Sequence, residues 1–223
     1  KLEEVVELSK QTWDLVAEVG NLRKTVPAPV KGRDTFRNFL VWWTLCGTPG
    51  GVESFKAQRD ELREMVTQNK GAVPDEKHRL CWIGGIPGYA MDLYDWMEEK
   101  HGVTVVMDML NYNIPPDSTY QDPFEYLANK SFSIGGTRQL VGPIENAVEN
   151  ALRMTEDYRA DGMVFFANTG CRQGCATYRT LKDSVQEKYG LPTLILDGDG
   201  VDPSVVSVDE MMNKLEGFFE ILE

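Results

Sequence analysis

From about residue 79 the chain alternates short apolar runs with helical stretches, and this alternation limits its fold more than any other feature. The runs are "RLCWIGG", "VTVVMDML", "MVFFAN" and "LPTLILDGD", each bounded by Gly, Asp, Asn or Pro. Between and after them lie "YAMDLYDWMEEKHG", "GPIENAVENALRMTEDYRADG", "CATYRTLKDSVQEKYG" and "SVDEMMNKLEGFFEILE", whose apolar residues recur at helical spacing. Short buried strands joined by helices require right-handed crossovers, and hence a parallel sheet.

The first third has a different grammar. Leu2, Val5, Val6, Leu8, Trp13, Leu15, Val16, Val19 and Leu22 mark a helix that Pro27 and Pro29 stop. "GRDTFRNFLVWWTLCG" predicts a second helix, with Asp34 as its cap and Gly47 and Pro49-Gly50-Gly51 as punctuation. "VESFKAQRDELREMVTQNKG" predicts a third. Residues 111–141 read as irregular, with one helix around "PFEYLANKSF". Pro143 suits the first turn of the helix that follows, and Ser207 with Glu210 has capping-box spacing. The expected fold is therefore α/β: a Rossmann-like or flavodoxin-like parallel sheet of about four strands flanked by helices, preceded by an all-helical segment. The expected division is 1–77 helical and 78–223 α/β.

Composition removes several function classes. The net charge is −12 with no Lys/Arg run, so the overall field repels nucleic acid and anionic membranes. No apolar stretch reaches spanning length, and no signal-peptide pattern is present. Cys46, Cys81, Cys171 and Cys175 are too few and scattered for a disulfide framework. They imply reduced intracellular thiols and a cytoplasmic protein, with Cys46 and Cys81 mostly buried.

In a parallel sheet, ligands bind outside the carboxyl ends of the strands. Those ends are Gly84-Gly85-Ile86-Pro87-Gly88, Asp108 to Asn113, Asn168 to Cys175, and Asp197 to Asp202. The first is a glycine-rich strand-to-helix turn able to approach a phosphate, yet it lacks the dinucleotide and P-loop spacings. "DGDGVD" lacks the frame of a calcium loop, and its aspartates read as turn caps. His78 and His101 read as solvent-exposed, without a ligand partner at suitable spacing. The five tryptophans fall on apolar faces as core or interface, and Trp42-Trp43 could face a partner chain.

Cys171 differs from these. It stands at a strand end, on the N-terminal side of a helix, where peptide dipoles and free N–H groups stabilise a thiolate that can ligate iron or attack carbon. Gly170 and Gly174 keep bulk away, so a sizeable group could approach. Asn168, Thr169, Arg172 and Gln173 are candidates to hydrogen-bond an anion or cluster sulfides. On spacing alone, a structural thiol stays equally open. The Cys171–Cys175 gap is not the redox spacing, and two thiols do not make a cluster motif.

The segment "ADGMVFFANTGCRQGCATYRTLKDSVQEKYGLPTLILDGDGVDP" resembles the C-terminal part of the 2-hydroxyacyl-CoA dehydratase component subunits, within the superfamily that includes ATP-dependent benzoyl-CoA reductases. The likeness rests on Asp161-Gly162, Gly170-Cys171-Arg172-Gln173, Gly190-Leu191-Pro192, Asp197-Gly198-Asp199 and Asp202-Pro203. "RLCWIGGIPGYAMDLYDWMEEKHGVTVVMDM" is similar to the strand–helix–strand that opens the second domain of such subunits.

The resemblance implies one subunit of a heterodimer with a homologous second subunit, an acyl-CoA substrate and a [4Fe–4S] cluster. It implies Cys171 as one cluster ligand, with two further cysteines from a first domain expected before Lys1. On this reading the chain is a C-terminal half, a cleaved fragment or a short form. It implies an electron from a separate ATP-hydrolysing iron–sulfur activator, and radical dehydration of a 2-hydroxyacyl-CoA. The added electron makes the thioester carbonyl a ketyl, which expels the hydroxyl and acidifies the β-proton. Alternatives are a benzoyl-CoA-reductase-type subunit, a non-catalytic docking subunit, or a flavodoxin-like nucleotide module using the Gly84–Gly88 turn.

Overall fold

The computed structural model describes every residue except Ile86, and the backbone alone of Gln139 and Leu140. Strands β1 (His78–Gly84), β2 (Val103–Asp108), β3 (Gly162–Asn168) and β4 (Thr193–Gly198) form one sheet. Its order is β2–β1–β3–β4, and every pair is parallel. The α/β fold expected from the apolar runs is the fold observed.

The sheet is buried on both faces because alternate side chains of each strand point opposite ways. Leu80 and Trp82 of β1, with Val164 and Phe166 of β3, pack on α4 (Asp92–Trp96) and α9 (Val208–Leu222) through Leu93, Met211, Leu215 and Phe218. Cys81 and Ile83, with Met163 and Phe165, pack on α7 (Ile144–Asp157) and α8 (Arg172–Tyr189) through Ala151, Met154, Tyr178 and Leu181. Each large side chain so buried contributes about 1.5–3 kcal/mol relative to exposure.

Three helices precede the first strand: α1 (Leu2–Leu22), α2 (Gly32–Leu45) and α3 (Pro49–Thr67). Trp13, Val19, Trp42, Phe55 and Leu62 form their common core, with the Trp13 and Trp42 rings 5.4 Å apart. The N-terminus of α2 sits on the β2 edge of the sheet. A β-carbon at Gly32 would stand 2.9 Å from the Tyr94 ring and 3.0 Å from Val105 Cβ.

Several local expectations are corrected. Asp34 does not cap α2: it lies inside the first turn, 3.3 Å from Arg37, and Lys31 occupies the cap position. A tertiary partner replaces the local cap, since the Glu98 carboxylate accepts from Gly32 N–H at 2.7 Å. Pro49-Gly50-Gly51 is the first turn of α3, capped by Thr48 Oγ1, which accepts from Gly51 N–H at 3.2 Å. The helix after β1 is a 3₁₀ turn, then α4, then a π turn over Met97–His101.

The irregular span holds α5 (Pro123–Ser133) and a further helix, α6 (Gly135–Val141), hidden by its opening glycine pair. Pro143 is the cap of α7 rather than part of its first turn. His78 and His101 are partly buried rather than exposed. The His101 ring lies 4.7 Å from Trp96 and 5.1 Å from Phe219, and burial, then Lys100, lowers its pKa. Cys81 is fully buried, whereas Cys46 is only partly so. Trp43 is 64% exposed, unlike buried Trp13, Trp42 and Trp82.

Candidate functional site

The strand order makes β1 the pivot. The chain runs from β1 outward to β2, then crosses back over to β3 on the other side. The carboxyl ends of β1 and β3 therefore flank a crevice at the topological switch point, where open parallel sheets bind ligands. Gly84 lies on one side, and Asn168 through Gly174 on the other. The β1–α4 and β4–α9 loops meet at its rim, where Gly88 N–H donates to Gly200 O at 3.2 Å. Ile86 of the Gly84–Gly88 turn lies outside the described residues.

Cys171 is the N-cap of α8, which begins at Arg172 rather than at Cys175 as the sequence suggests. Its Sγ accepts from Gly174 N–H at 3.4 Å, as a cap side chain does. Asn168 builds the turn that holds it. The Asn168 carbonyl accepts from Cys171 N–H at 2.8 Å, and its Oδ1 accepts from Gly170 N–H at 3.1 Å. Thr169 N–H donates to Gly198 O at 2.9 Å, tying the turn to the end of β4. The N–H groups of Arg172 and Gln173 have no acceptor within the helix. Both side chains are exposed, as is Thr169.

Cys175 sits one turn on, and its Sγ donates to Asn168 O at 3.3 Å. The aspartates after β4 cap turns: Asp199 Oδ1 accepts from Val201 and Asp202 N–H, and Asp202 Oδ1 from Ser204. Among the described residues, no three His, Cys, Asp or Glu side chains converge as a metal site. The Cys171 sulfur, with open N–H groups and two glycines beside it, fits one corner of an iron–sulfur group. Such a group takes three or four thiolates in all.

Sequence reasoning missed Tyr178. It follows Cys171 by seven residues and Gly174 by four, so all three share one stripe of α8, a spacing that offered the signal. A β-carbon at Gly174 would lie 2.8 Å from Tyr178 Oη and 3.4 Å from Cys171 Sγ. A β-carbon at Gly84 would lie 2.7 Å from the same hydroxyl and overlap the Phe166 carbonyl oxygen; Gly84 has φ +106°. Burial, then the thiols of Cys171 and Cys175, push the Tyr178 hydroxyl well above the ordinary tyrosine range, so it stays protonated at neutral pH.

A separate cavity of about 160 Å³ opens between α1, the loop after β2 and α7. Lys24, Tyr112 and Asp157 line it and bond to one another, with Asp157 accepting from Lys24 at 3.1 Å and from Tyr112 at 3.3 Å. Asn111, Tyr112 and Asn113, from the β2 strand end expected to face ligand, line it, whereas none of Asn168 to Cys175 does.

A parallel α/β sheet with helices on both faces and a thiol on a helix N-terminus at its switch point defines the class: a doubly wound α/β domain. The family model described as 2-hydroxyglutaryl-CoA dehydratase, D-component, matches residues 1–222, and the chain belongs to that family. It is 24% identical to the (R)-phenyllactyl-CoA dehydratase alpha subunit of Clostridium sporogenes, over 100% of this chain and 53% of that one. It is 28% identical to the alpha subunit of lactoyl-CoA dehydratase from Anaerotignum propionicum, over 95% of this chain and 49% of the relative. It is 22% identical to one of the subunits of benzoyl-CoA reductase from Thauera aromatica, over 79% and 43% respectively. The chain thus spans about half the length of the curated relatives it matches.

Proposed function

We propose that this chain contributes to one subunit of a cytoplasmic, oxygen-sensitive dehydratase that removes water from a 2-hydroxyacyl-CoA. Cys171 is one thiolate ligand of a [4Fe–4S] cluster whose other cysteine ligands lie outside these residues. The subunit pairs with a homologous second one, and a separate ATP-dependent iron–sulfur activator feeds it electrons. The single observation that carries the reading is the place of Cys171, on a helix N-terminus at the β1/β3 switch point of a chain from this family.

When bound, the cluster supplies a low-potential electron for the thioester carbonyl. The chain's own groups hold and orient. Gly174 N–H fixes the Cys171 sulfur. The unsatisfied N–H groups at Arg172 and Gln173 face the helix entrance, where negative charge is stabilised. Gly170 leaves the approach open, with only Asn168 Oδ1 and Asp199 Oδ2 within 4 Å of where a β-carbon would be. The Arg172 and Gln173 side chains are free to hydrogen-bond sulfides or substrate.

No described helix is long and apolar enough to cross a membrane, and all four cysteines are free thiols. The reductase relative keeps a second reading in view: a related ATP-activated reductase subunit acting on an aromatic acyl-CoA.

The test is iron and sulfide content of the anaerobically prepared complete gene product and its Cys171→Ala variant. About four irons per chain in the parent and their loss in the variant are expected. Turnover of 2-hydroxyacyl-CoA against benzoyl-CoA then separates the two readings. A parent protein free of iron after anaerobic reconstitution overturns both.

A further inference from the structure

Tyr178 occupies a notch that two glycines clear for it. Its side chain is 6% exposed, and its ring leans on Phe165 with centroids 5.8 Å apart. The hydroxyl makes no hydrogen bond to any described residue. A tyrosine so deeply buried ordinarily finds a partner for its O–H. This one ends against Gly84, at the carboxyl end of β1.

The notch has two walls. From the β1 end, Gly84 brings its Cα so close that a β-carbon would stand 2.7 Å from the hydroxyl. Gly174 does the same from within α8, at 2.8 Å. The Cys171 sulfur lies 3.4 Å from the β-carbon position of Gly174. Any bulk at position 84 or 174 would displace the phenol. The donor and the sulfur therefore both lie beside Gly174, and they come from one stripe of one helix, which fixes them relative to each other.

We propose that Tyr178 is a positioning residue whose hydroxyl donates a hydrogen bond to a sulfur atom of the iron–sulfur group held by Cys171. The inference rests on Cys171 being a cluster ligand and adds the neighbour that tunes it. Hydrogen bonds to cluster sulfurs raise the reduction potential, and removing one makes the cluster harder to reduce. Phenylalanine at position 178 would keep the packing and delete only the donor. A 3-fluorotyrosine would keep the hydroxyl and strengthen it as a donor.

The experiment uses the complete gene product, prepared anaerobically with its iron, as parent protein, Tyr178→Phe, a 3-fluorotyrosine form at position 178, and Cys171→Ala. Iron content and reduction potential are measured by anaerobic titration. The expected result is full iron in the parent and both Tyr178 forms, with the potential shifted negative in Tyr178→Phe and positive in the fluorotyrosine form. Full iron with one unchanged potential across all three forms overturns the proposal and leaves Cys171 as ligand untouched. Loss of iron from Tyr178→Phe also overturns it, because a donor that only tunes leaves the cluster bound. An iron-free parent, or full iron in Cys171→Ala, removes the reading beneath it, and this outcome is distinct from the other two.

Discussion

Gly174→Ala measures how firmly the notch is built. Position 174 is in the first turn of α8, where alanine is preferred to glycine by about 0.5–1 kcal/mol on helix propensity alone. Against that gain stands a β-carbon 2.8 Å from Tyr178 Oη and 3.1 Å from Cζ. The phenol cannot retreat, because Gly84 bounds it on one side and Phe165 on another. Overpacking of this kind costs about 1–3 kcal/mol, so steric cost wins and the substitution should destabilise by about 0.5–2 kcal/mol. Tyr178→Phe removes the closer contact and leaves the one at 3.1 Å. In that background Gly174→Ala should be near neutral, giving a coupling of about 1 kcal/mol between the two sites. Urea unfolding of the four proteins, followed by circular dichroism with unchanged slopes, reads this directly. If Gly174→Ala stabilises the Tyr178 protein by the full propensity gain, the hydroxyl is not held in the notch and the reasoning fails.

Two further outcomes follow from the same geometry. Gly84→Ala meets backbone rather than a movable side chain, at φ +106° and against the Phe166 carbonyl. A loss of about 3 kcal/mol or more is expected from strain and overlap together, visible as a melting temperature lower by several degrees; a shift within error would contradict it. Burial pushes Glu98 from its ordinary 4.5 up to about 7, opposed by Gly32 N–H and Lys31 and aided by Asp95 and Asp34. Its folded form binds a proton more tightly than its unfolded form. The resulting stability is therefore full below pH 4.5 and lost as pH rises to about 7. Glu98→Gln keeps an acceptor for Gly32 and should flatten stability across that window; an unchanged pH profile would count against the assignment.

The fold was legible because its signals are local. Apolar runs such as "MVFFAN" and the helical spacing of α1 and α9 carry their own period, and Ser207 accepts from Glu210 N–H as the capping pattern suggests. What was not legible depends on residues far apart in sequence. Asp34 is a sound cap residue by type, yet the helix starts two residues before it, at Gly32, whose N–H donates to Glu98, sixty-six positions further on. The Pro-Gly-Gly punctuation reads as a loop because glycine disfavours helix, and tertiary packing overrides it: a β-carbon at Gly51 would overlap the Leu45 carbonyl. At the candidate site, Cys171 stands out in the sequence because a thiol beside a glycine at a strand end is chemically conspicuous. Tyr178 was not, because an aromatic on a helix stripe reads as core until the sheet brings Gly84 against it.

That contact changes what the glycine-rich turn is for. Gly84 suggested a backbone drawn close to a phosphate, as at other strand-to-helix turns. In the structure its missing side chain faces inward, against the Phe166 carbonyl and the Tyr178 hydroxyl. The space that glycine provides there is already filled by protein, so this residue shapes the switch point rather than cradling an anion. Its counterpart across the crevice, Gly174, yields to the same hydroxyl while its N–H holds the Cys171 sulfur. Two glycines that sequence reading would assign to separate motifs therefore act on one tyrosine. Cys171 and Tyr178 share one helix stripe, but the contact of Gly84 with that tyrosine is encoded by no stretch of sequence shorter than the span from β1 to α8.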